Sequence, residues 1–472
     1  MKKITIRHLR INNYRTFYKF KMSLHPEVTV IVGDNNSGKT YLVKALCLIM
    51  WGYISPVLDK ERAKPKHLKI SREDVSKKTQ STAPKDKSNI SVFGYTYDLN
   101  EDSEEDDCQN DILLQGSFGC RFAGNRTIWS NDDVSLFEML EKSLDSGMYY
   151  LDVITNKLDA IANKDKNKLE SNCFQDYPII ASFGVDRLWQ NKAKKIYFAK
   201  WQSFWLIGYH GALANKTRSI CLEWLYDLSV HRLPFTTEEK FDKFIDDTIA
   251  SLSLSIKHIT GFELHESSRP EKLYFSNGDD LPCQLSDLGH GVQNMILMVS
   301  ELVIRCSLLN PHHEKQAPEK TSGVVFIDEI DLHLHPRWQQ VILGQLKDVF
   351  PCIQFIVTTH SPQVLSTVPR ENIRVIEHSE AGSVARMPDF SPLAHESGAA
   401  LAKVMGVHQE PPLAIQDDIR QFEQCVRANQ EHSDEARGLR SKLDAAGYQF
   451  HDSDLATWRF LASRRAMEGK ST

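Results

Sequence analysis

The sequence predicts an α/β fold: a mixed sheet with a helical lobe, inserted polar loops and a small helical region towards the C-terminal end. Three observations predict it. Residues 28–50, VTVIVGDNNSGKTYLVKALCLIM, read as a buried strand, a glycine-framed loop and an apolar-periodic helix. Continuous apolar runs at 177–184, 322–327 and 353–357 read as further buried strands set among helical stretches. Past Asp389 the apolar residues recur at helical spacing, with turns between them.

A chain of 472 residues has room for roughly two to three domains and a large core. Its composition, 41% hydrophobic and 25% charged with a net charge of −5, is that of an ordinary globular protein. No overall basic excess announces nucleic acid, so any such binding falls to a local patch or a partner. The nine cysteines are scattered without a C-x-x-C pair, which points to a reducing cytosol and away from a disulfide framework or a structural zinc site. The N-terminus alternates as a strand does and lacks the apolar centre of a signal peptide. No apolar run reaches the roughly 20 residues that span a membrane. The expectation is a soluble, cytoplasmic protein with no membrane partner.

In chain order, residues 4–9 and 17–24 read as strands feeding the strand at 28–32. Gly33, Asp34, Asn35, Asn36, Ser37, Gly38, Lys39 and Thr40 then satisfy the P-loop pattern, and Leu42, Val43, Leu46, Ile49 and Met50 carry the helix. The two glycines let the backbone curl so that N–H groups and the helix start face phosphate oxygens. Lys39 is placed for the β- and γ-phosphates and Thr40 for Mg²⁺. Arg15 stands close by, and its reading is open between a phosphate contact and a solvated turn residue.

Residues 60–107 hold a basic block (60–87), an apolar strand (90–97) and an acidic block (98–107). They read as exposed excursions on a sheet; the basic block is either a DNA-facing loop or a solvated insertion. Strands follow at 112–114, 119–123 and 127–129, then helical stretches at 134–167, 200–232 and 236–251. None sustains heptads, so no long coiled-coil arm is encoded.

Three further motifs lie downstream. Ser286, Gly289 and Gly291 form a serine–glycine turn that opens an apolar helix, a second phosphate-friendly helix start. The strand 322–327 ends in Asp328-Glu329, where one carboxylate can hold Mg²⁺ and the next polarise water. His333 and His335, two apart, would point in opposite directions if extended, which disfavours a metal pair. The strand 353–357 leads to Thr358-Thr359-His360, whose histidine can either bond a γ-phosphate or cap the next helix. Asn310-Pro311-His312-His313 reads as a loop.

This order of four motifs resembles the ABC-type ATPase heads of the RecF, SMC and OLD group, over roughly residues 1–50 and 270–370. The resemblance implies Walker A at 33–40, a signature motif at 286–293, Walker B at 324–328 with Asp328 on Mg²⁺, Glu329 as catalytic glutamate and His360 as switch histidine. The signature reads LSDLGHGVQN rather than the transporter form LSGGQ, with Ser286, Gly289 and Gly291 as its contacts. Gln115 and Gln190 are the candidates for the family's Q-loop glutamine. ATP and Mg²⁺ are the implied cofactors. In such heads ATP is sandwiched between two protomers, which implies a homodimer or an assembly of dimers. The implied layout is an N-terminal ATPase lobe (1–130), a helical lobe (131–265), a second ATPase lobe (266–388) and a helical docking region (389–472).

In that last region Ile415, Ile419, Phe422 and Val426 make one helical stripe and Ala436, Leu439 and Leu443 another, closed by Gly447; Leu455, Trp458 and Leu461 mark a third helix. They read either as a docking bundle or as helices packed on the ATPase core. Asp452 and Asp454 form a D-x-D at a helix start, without the strand series a Toprim nuclease needs. A head without arms or a fused nuclease resembles the stand-alone ATPases of anti-phage systems, most closely the PtuA family of Septu and Septu-like retrons; the PARIS ATPase subunit shares much of that layout. The resemblance implies a separate HNH nuclease partner of the PtuB kind, and DNA or retron RNA–DNA as a further partner. Two rival readings are a RecF-like DNA-binding repair ATPase and a self-sufficient OLD-like nuclease.

Overall fold

The computed structural model describes residues 3–35, 37–54, 90–99, 116–123, 126–129, 176–185, 208–209, 211–213, 238–265, 274–278, 280–379, 382–407, 413–450 and 455–460. The chain divides into two compact units, Met1–Met405 and Gly406–Thr472. The first begins with β1 (Lys3–Tyr14), β2 (Phe17–Ser23), β3 (Val28–Gly33) and α1 (Lys39–Ile54). Strands β4 (Ile90–Leu99), β5 (Gly116–Ala123), β6 (Arg126–Trp129) and β7 (Ile179–Phe183) come next. Then follow α2 (Glu238–Thr260), β8 (Glu263–His265), β9 (Tyr274–Ser276), β10 (Cys283–Gln284) and α3 (His290–Leu309). The unit closes with β11 (Gly323–Ile327), α4 (Ile342–Val349), β12 (Ile353–Thr358), β13 (Ile373–Ser379), β14 (Gly382–Arg386) and α5 (Ser397–Lys403).

The site is built on a six-stranded sheet of order β14-β13-β3-β12-β11-β7. β13, β3, β12, β11 and β7 run parallel, and β14 pairs antiparallel with β13 at one edge. Every residue of β7, β11 and β12 is buried. A strand covered on both faces cannot alternate, which is why these segments appear in the sequence as unbroken apolar runs. Register aligns Val30, Val357, Ile327 and Phe183 across four strands. Gly33, Thr358 and Asp328 therefore emerge at the same edge, outside the carboxyl ends of the strands, where open α/β sheets bind ligands.

A second, antiparallel sheet has the order β2-β1-β4-β5-β6. In β2, Phe17, Phe20 and Met22 are buried while Lys19, Lys21 and Ser23 are exposed, the alternation of a sheet wet on one face. Helix α1 contacts β4 and β5 of this sheet and β3 and β11 of the other. Its Leu42, Ala45, Leu46 and Met50 are fully buried, and each leucine so buried contributes about 1.5–3 kcal/mol. The two sheets are also joined by the buried Gln354 of β12. Its amide accepts from Ile6 N at 2.7 Å and donates to the carbonyls of Ile6 at 2.9 Å and His25 at 2.8 Å, so no amide atom is buried without a partner.

Helix α3 corrects one expectation from the sequence. It is long and apolar enough to cross a membrane by length and composition, yet 94% of its most apolar window is buried inside the protein. The run is broken within by Glu301 and Arg305, which pair on the same face, 4% and 1% exposed. The Arg305 guanidinium also donates to the Gly208 carbonyl. Burial pushes the Glu301 carboxyl up, and the charge of Arg305 opposes that shift. A core helix and a membrane helix share composition; what separates them is what surrounds them. The histidines after it also differ from expectation: residues 311–316 form a 3₁₀ turn, not a loop.

The second unit holds α6 (Ile415–Arg427), α7 (Asp434–Ala445) and a helical turn at 455–460. Ile419, Phe422, Val426, Ala436, Leu439, Leu443 and Leu455 share its small core. The Ser433 hydroxyl caps α7 by accepting from Ala436 N at 3.1 Å.

Candidate active site

Between β3 and α1 the chain must turn from an extended strand into a helix within five residues. Gly38 makes that turn at φ +97°, and a Cβ there would stand 2.6 Å from the Thr16 hydroxyl. No other residue type fits. The Lys39 ammonium folds back over the loop, donating to the carbonyls of Gly33 at 2.8 Å and Asp34 at 2.9 Å. Burial pushes Lys39 below its ordinary value, while the charges of Asp328, Asp34 and Glu329 act in the opposite sense. A buried ammonium bonded to two loop carbonyls, beside the N–H groups of a helix start, is a seat for an anion. Thr40, one residue on, is exposed.

Two strands away, Asp328 is 3% exposed, and its N–H donates to the Phe183 carbonyl at 2.8 Å. The strand lying between, β12, ends in Thr358, which is fully buried. The Thr358 hydroxyl donates to Asp328 Oδ1 at 2.6 Å and accepts from the Glu329 N–H at 2.8 Å. One hydroxyl therefore orients both carboxylate residues. Glu329 sits at φ +51°, in the left-handed region, a conformation that costs on the order of 1–3 kcal/mol and persists only where its surroundings impose it. Here the hydroxyl of Thr358 and its carbonyl, which accepts from Ile330 N at 3.0 Å, impose it. Thr359 repeats the arrangement one step on, donating to Asp331 Oδ1 at 2.6 Å and accepting from Ser361 N at 3.0 Å. His360, half-buried, lies between these anchored residues.

Thr358→Val is expected to lower stability by about 1–3 kcal/mol, because it orphans a buried N–H and removes a partner of Asp328. Thr358→Ser, which keeps the hydroxyl, is expected to recover most of that loss in urea unfolding. Equal loss in both variants would assign the effect to packing of the methyl group.

The serine–glycine turn lies elsewhere. Asp287 accepts from Gln284 N at 3.2 Å and from the Ser286 hydroxyl at 3.1 Å, and Gln293 donates to the Leu288 carbonyl at 2.6 Å. Ser286, Gly289 and His290 are exposed, whereas Gly291 is buried. A Cβ on Gly291 would stand 2.4 Å from the His333 carbonyl oxygen, so the start of α3 rests directly on the backbone that follows Glu329. Asn294 adds a hydrogen bond to the Leu332 carbonyl at 3.2 Å. Gly291 thus has a packing reason to be glycine, separate from any contact with a ligand.

The sequence-derived residues sort into two groups. Gly33, Asp34, Asn35, Ser37, Gly38, Lys39, Thr40, Asp328, Glu329 and His360 stand at or beside one edge of the parallel strands. Ser286, Gly289 and Gly291 stand at the start of α3, tied to that edge by residues 328–334. Asn36, Gln115, Gln190, Asp452, Asp454 and the basic block 60–87 lie outside the described residues. Arg15 takes φ +53° and its guanidinium sits 4.9 Å over the Tyr41 ring. His335 caps the helical turn Pro336–Gln339 while His333 approaches His290, so the two do not converge. Thr358, Thr359, Asp331 and Asn294 were given no role from the sequence. The Thr-Thr pair before His360 was the available signal.

Comparison with known proteins finds similarity over two stretches of the chain. A family profile described as "AAA domain" matches residues 8–203, and one described as "AAA domain, putative AbiEii toxin, Type IV TA system" matches residues 229–366. The chain is 34% identical over 186 residues to the "Retron Vc95 probable ATPase" of Vibrio cholerae serotype O1 biovar El Tor, covering 38% of this chain and 35% of that protein. It is 33% identical over 145 residues to "Septu protein PtuA" of Bacillus mycoides (strain KBAB4), covering 30% of this chain and 19% of that one. The chain thus spans about a third or less of the length of these curated relatives. Among solved structures, an SmcHead bound to the C-winged helix domain of ScpA aligns at a TM-score of 0.45 and 13% identity, over 81% of this chain and 97% of that one. With its P-loop and Asp-Glu strand separated by a third parallel strand, and its serine–glycine turn on a helix of its own, the chain is an α/β protein that matches AAA-domain profiles over two stretches and is similar over part of its length to the retron and Septu ATPases.

Proposed function

We propose that this chain binds and hydrolyses ATP in a site shared by two copies of itself, and that the ATP-bound pair gates a separate nuclease in defence against phage. One observation carries the reading: residues 328–334 physically join the two groups, leaving the carboxylate edge at Asp328 and ending under Gly291 at the exposed turn. The carboxylate edge of one site is thereby joined, within one chain, to the turn that in this reading covers the phosphate held by the second copy. Retron and Septu relatives support the defence context.

The residues fit Mg²⁺–ATP. Lys39 with the N–H groups of the loop meets the phosphates, and the oxygens of Asp328 and Thr40 are the hard ligands Mg²⁺ takes. When bound, Mg²⁺ neutralises phosphate charge. The Glu329 carboxylate accepts the proton of the attacking water as its oxygen bonds to the γ-phosphorus and the bond to ADP breaks. His360 donates to the γ-phosphate, reporting its presence to β12. Ser286 and Gly289 of the second copy close the site.

Mixing two inactive variants tests the shared site. Lys39→Ala removes the phosphate ligand and Ser286→Arg blocks the turn. Each alone is expected to lose ATP hydrolysis, and their mixture to regain part of it, since one composite site then holds an intact loop and an intact turn. A mixture as inactive as its components would count against the sandwich.

A further inference from the structure

We propose that Asp176, His312 and His313 form a binding site for a divalent transition ion of the zinc class, which ties the C-terminal end of α3 to the segment entering β7. The three side chains come from sequence positions 136 residues apart, and their ligating atoms all lie within 4.8 Å of one another. Nε2 of His312 lies 2.8 Å and Nε2 of His313 lies 2.7 Å from the same oxygen, Asp176 Oδ1. Only the His312 contact has hydrogen-bond geometry. Nε2 of His313 is shut off from solvent and faces the same carboxylate oxygen as an ion-pair partner. Two imidazole nitrogens and a carboxylate oxygen converging from distant parts of the chain can exchange their shared protons for a metal ion.

The donor set selects the ion. Two imidazole nitrogens and one carboxylate oxygen suit zinc and its neighbours, whereas Mg²⁺ and Ca²⁺ take oxygens. Tetrahedral zinc with bonds of about 2.0–2.1 Å holds its ligand atoms about 3.3 Å apart. The triad has therefore to open by about half an ångström, which side-chain rotation supplies. Three protein ligands leave a fourth position for water.

The surroundings are built to hold both halves in place. Asn310, the residue that ends α3, accepts from Tyr177 N at 2.7 Å and donates to the Tyr177 carbonyl at 2.9 Å and to the Thr321 hydroxyl at 3.0 Å. One asparagine so fixes the backbone beside Asp176 while standing two residues from His312. Such outer contacts orient metal ligands. The two imidazole rings lie 4.1 Å apart, and Glu314 directly after them takes φ +52°. Because α3 starts at the serine–glycine turn and β7 borders β11, an ion here would stabilise the frame of the ATP site from its far end.

The experiment uses the full chain, stripped with a chelator and titrated with Co²⁺ in buffer containing Mg²⁺ but no nucleotide. Expected are about one Co²⁺ per chain, visible d–d bands without a thiolate charge-transfer band, displacement by Zn²⁺, and a higher melting temperature with Zn²⁺ than with chelator. His313→Gln and Asp176→Asn are expected to weaken binding at least 10-fold and to abolish the melting shift, with an unchanged circular dichroism spectrum. The wild-type titration stands alone should a variant misfold. Absence of d–d bands in the wild type, a thiolate band from the cysteines, or equal binding by well-folded variants would overturn the proposal.

Discussion

Glu329→Gln is expected to slow ATP hydrolysis by about 10²–10⁴-fold while ATP still binds, the range that removal of a positioned general base produces. The substitution keeps the shape of the side chain and replaces a proton-accepting oxygen by an amide. The backbone at Glu329 is held at φ +51° by Thr358, so the loop geometry is expected to survive the change. Lys39 and Asp328 are untouched, and phosphate and metal binding remain. Because the proposed second copy is held by unhydrolysed ATP, the variant should also accumulate as a dimer. Single-turnover kinetics and light scattering with and without ATP measure both effects. Hydrolysis at the wild-type rate would remove Glu329 from the catalytic role.

Gly291→Ala separates packing from ligand contact. The added Cβ would stand 2.4 Å from the His333 carbonyl oxygen, a backbone atom that cannot swing aside. Relieving that contact requires a shift of the start of α3 or of residues 329–334, at a cost of about 1–3 kcal/mol. The shift displaces the serine–glycine turn, so hydrolysis should fall at least tenfold while ATP binding by the single chain is retained. Gly289→Ala is the control. Nothing lies within 4 Å of a Cβ at Gly289, so stability should change by no more than about 0.5 kcal/mol. If Gly289 faces the phosphate of a second copy, hydrolysis falls in this variant too, without the stability loss. Equal stability in both variants would show that α3 does not rest on residue 333 as described.

Much of this site was legible because its chemistry is local. A P-loop needs two glycines, a lysine and a hydroxyl within eight residues, bounded by a strand and a helix, and residues 28–50 supply all of it. The strands of the parallel sheet were legible for a related reason: burial on both faces forces unbroken apolar runs. Asp328 and Glu329 stood out because charges rarely follow such a run without purpose. Helix α3 was harder, since a membrane span and a central core helix draw on the same residues; its Glu301–Arg305 pair has a neighbour in Gly208 that no window on the sequence contains.

Local spacing alone determined that a loop of P-loop pattern, two acidic residues at a strand end and a histidine at another exist, and in what order. Only the tertiary structure decided that β12 lies between β3 and β11. That order places the Thr358 hydroxyl against Asp328 and the Glu329 N–H. It likewise decided that Gly291 is glycine because a carbonyl from residue 333 lies where its side chain would be, and that two histidines just past the end of α3 meet an aspartate far upstream. The physical reason is the same in each case. Sequence records which groups a segment offers, but hydrogen-bond partners and excluded volume are supplied by segments distant in the chain, and strand order sets which of them arrive.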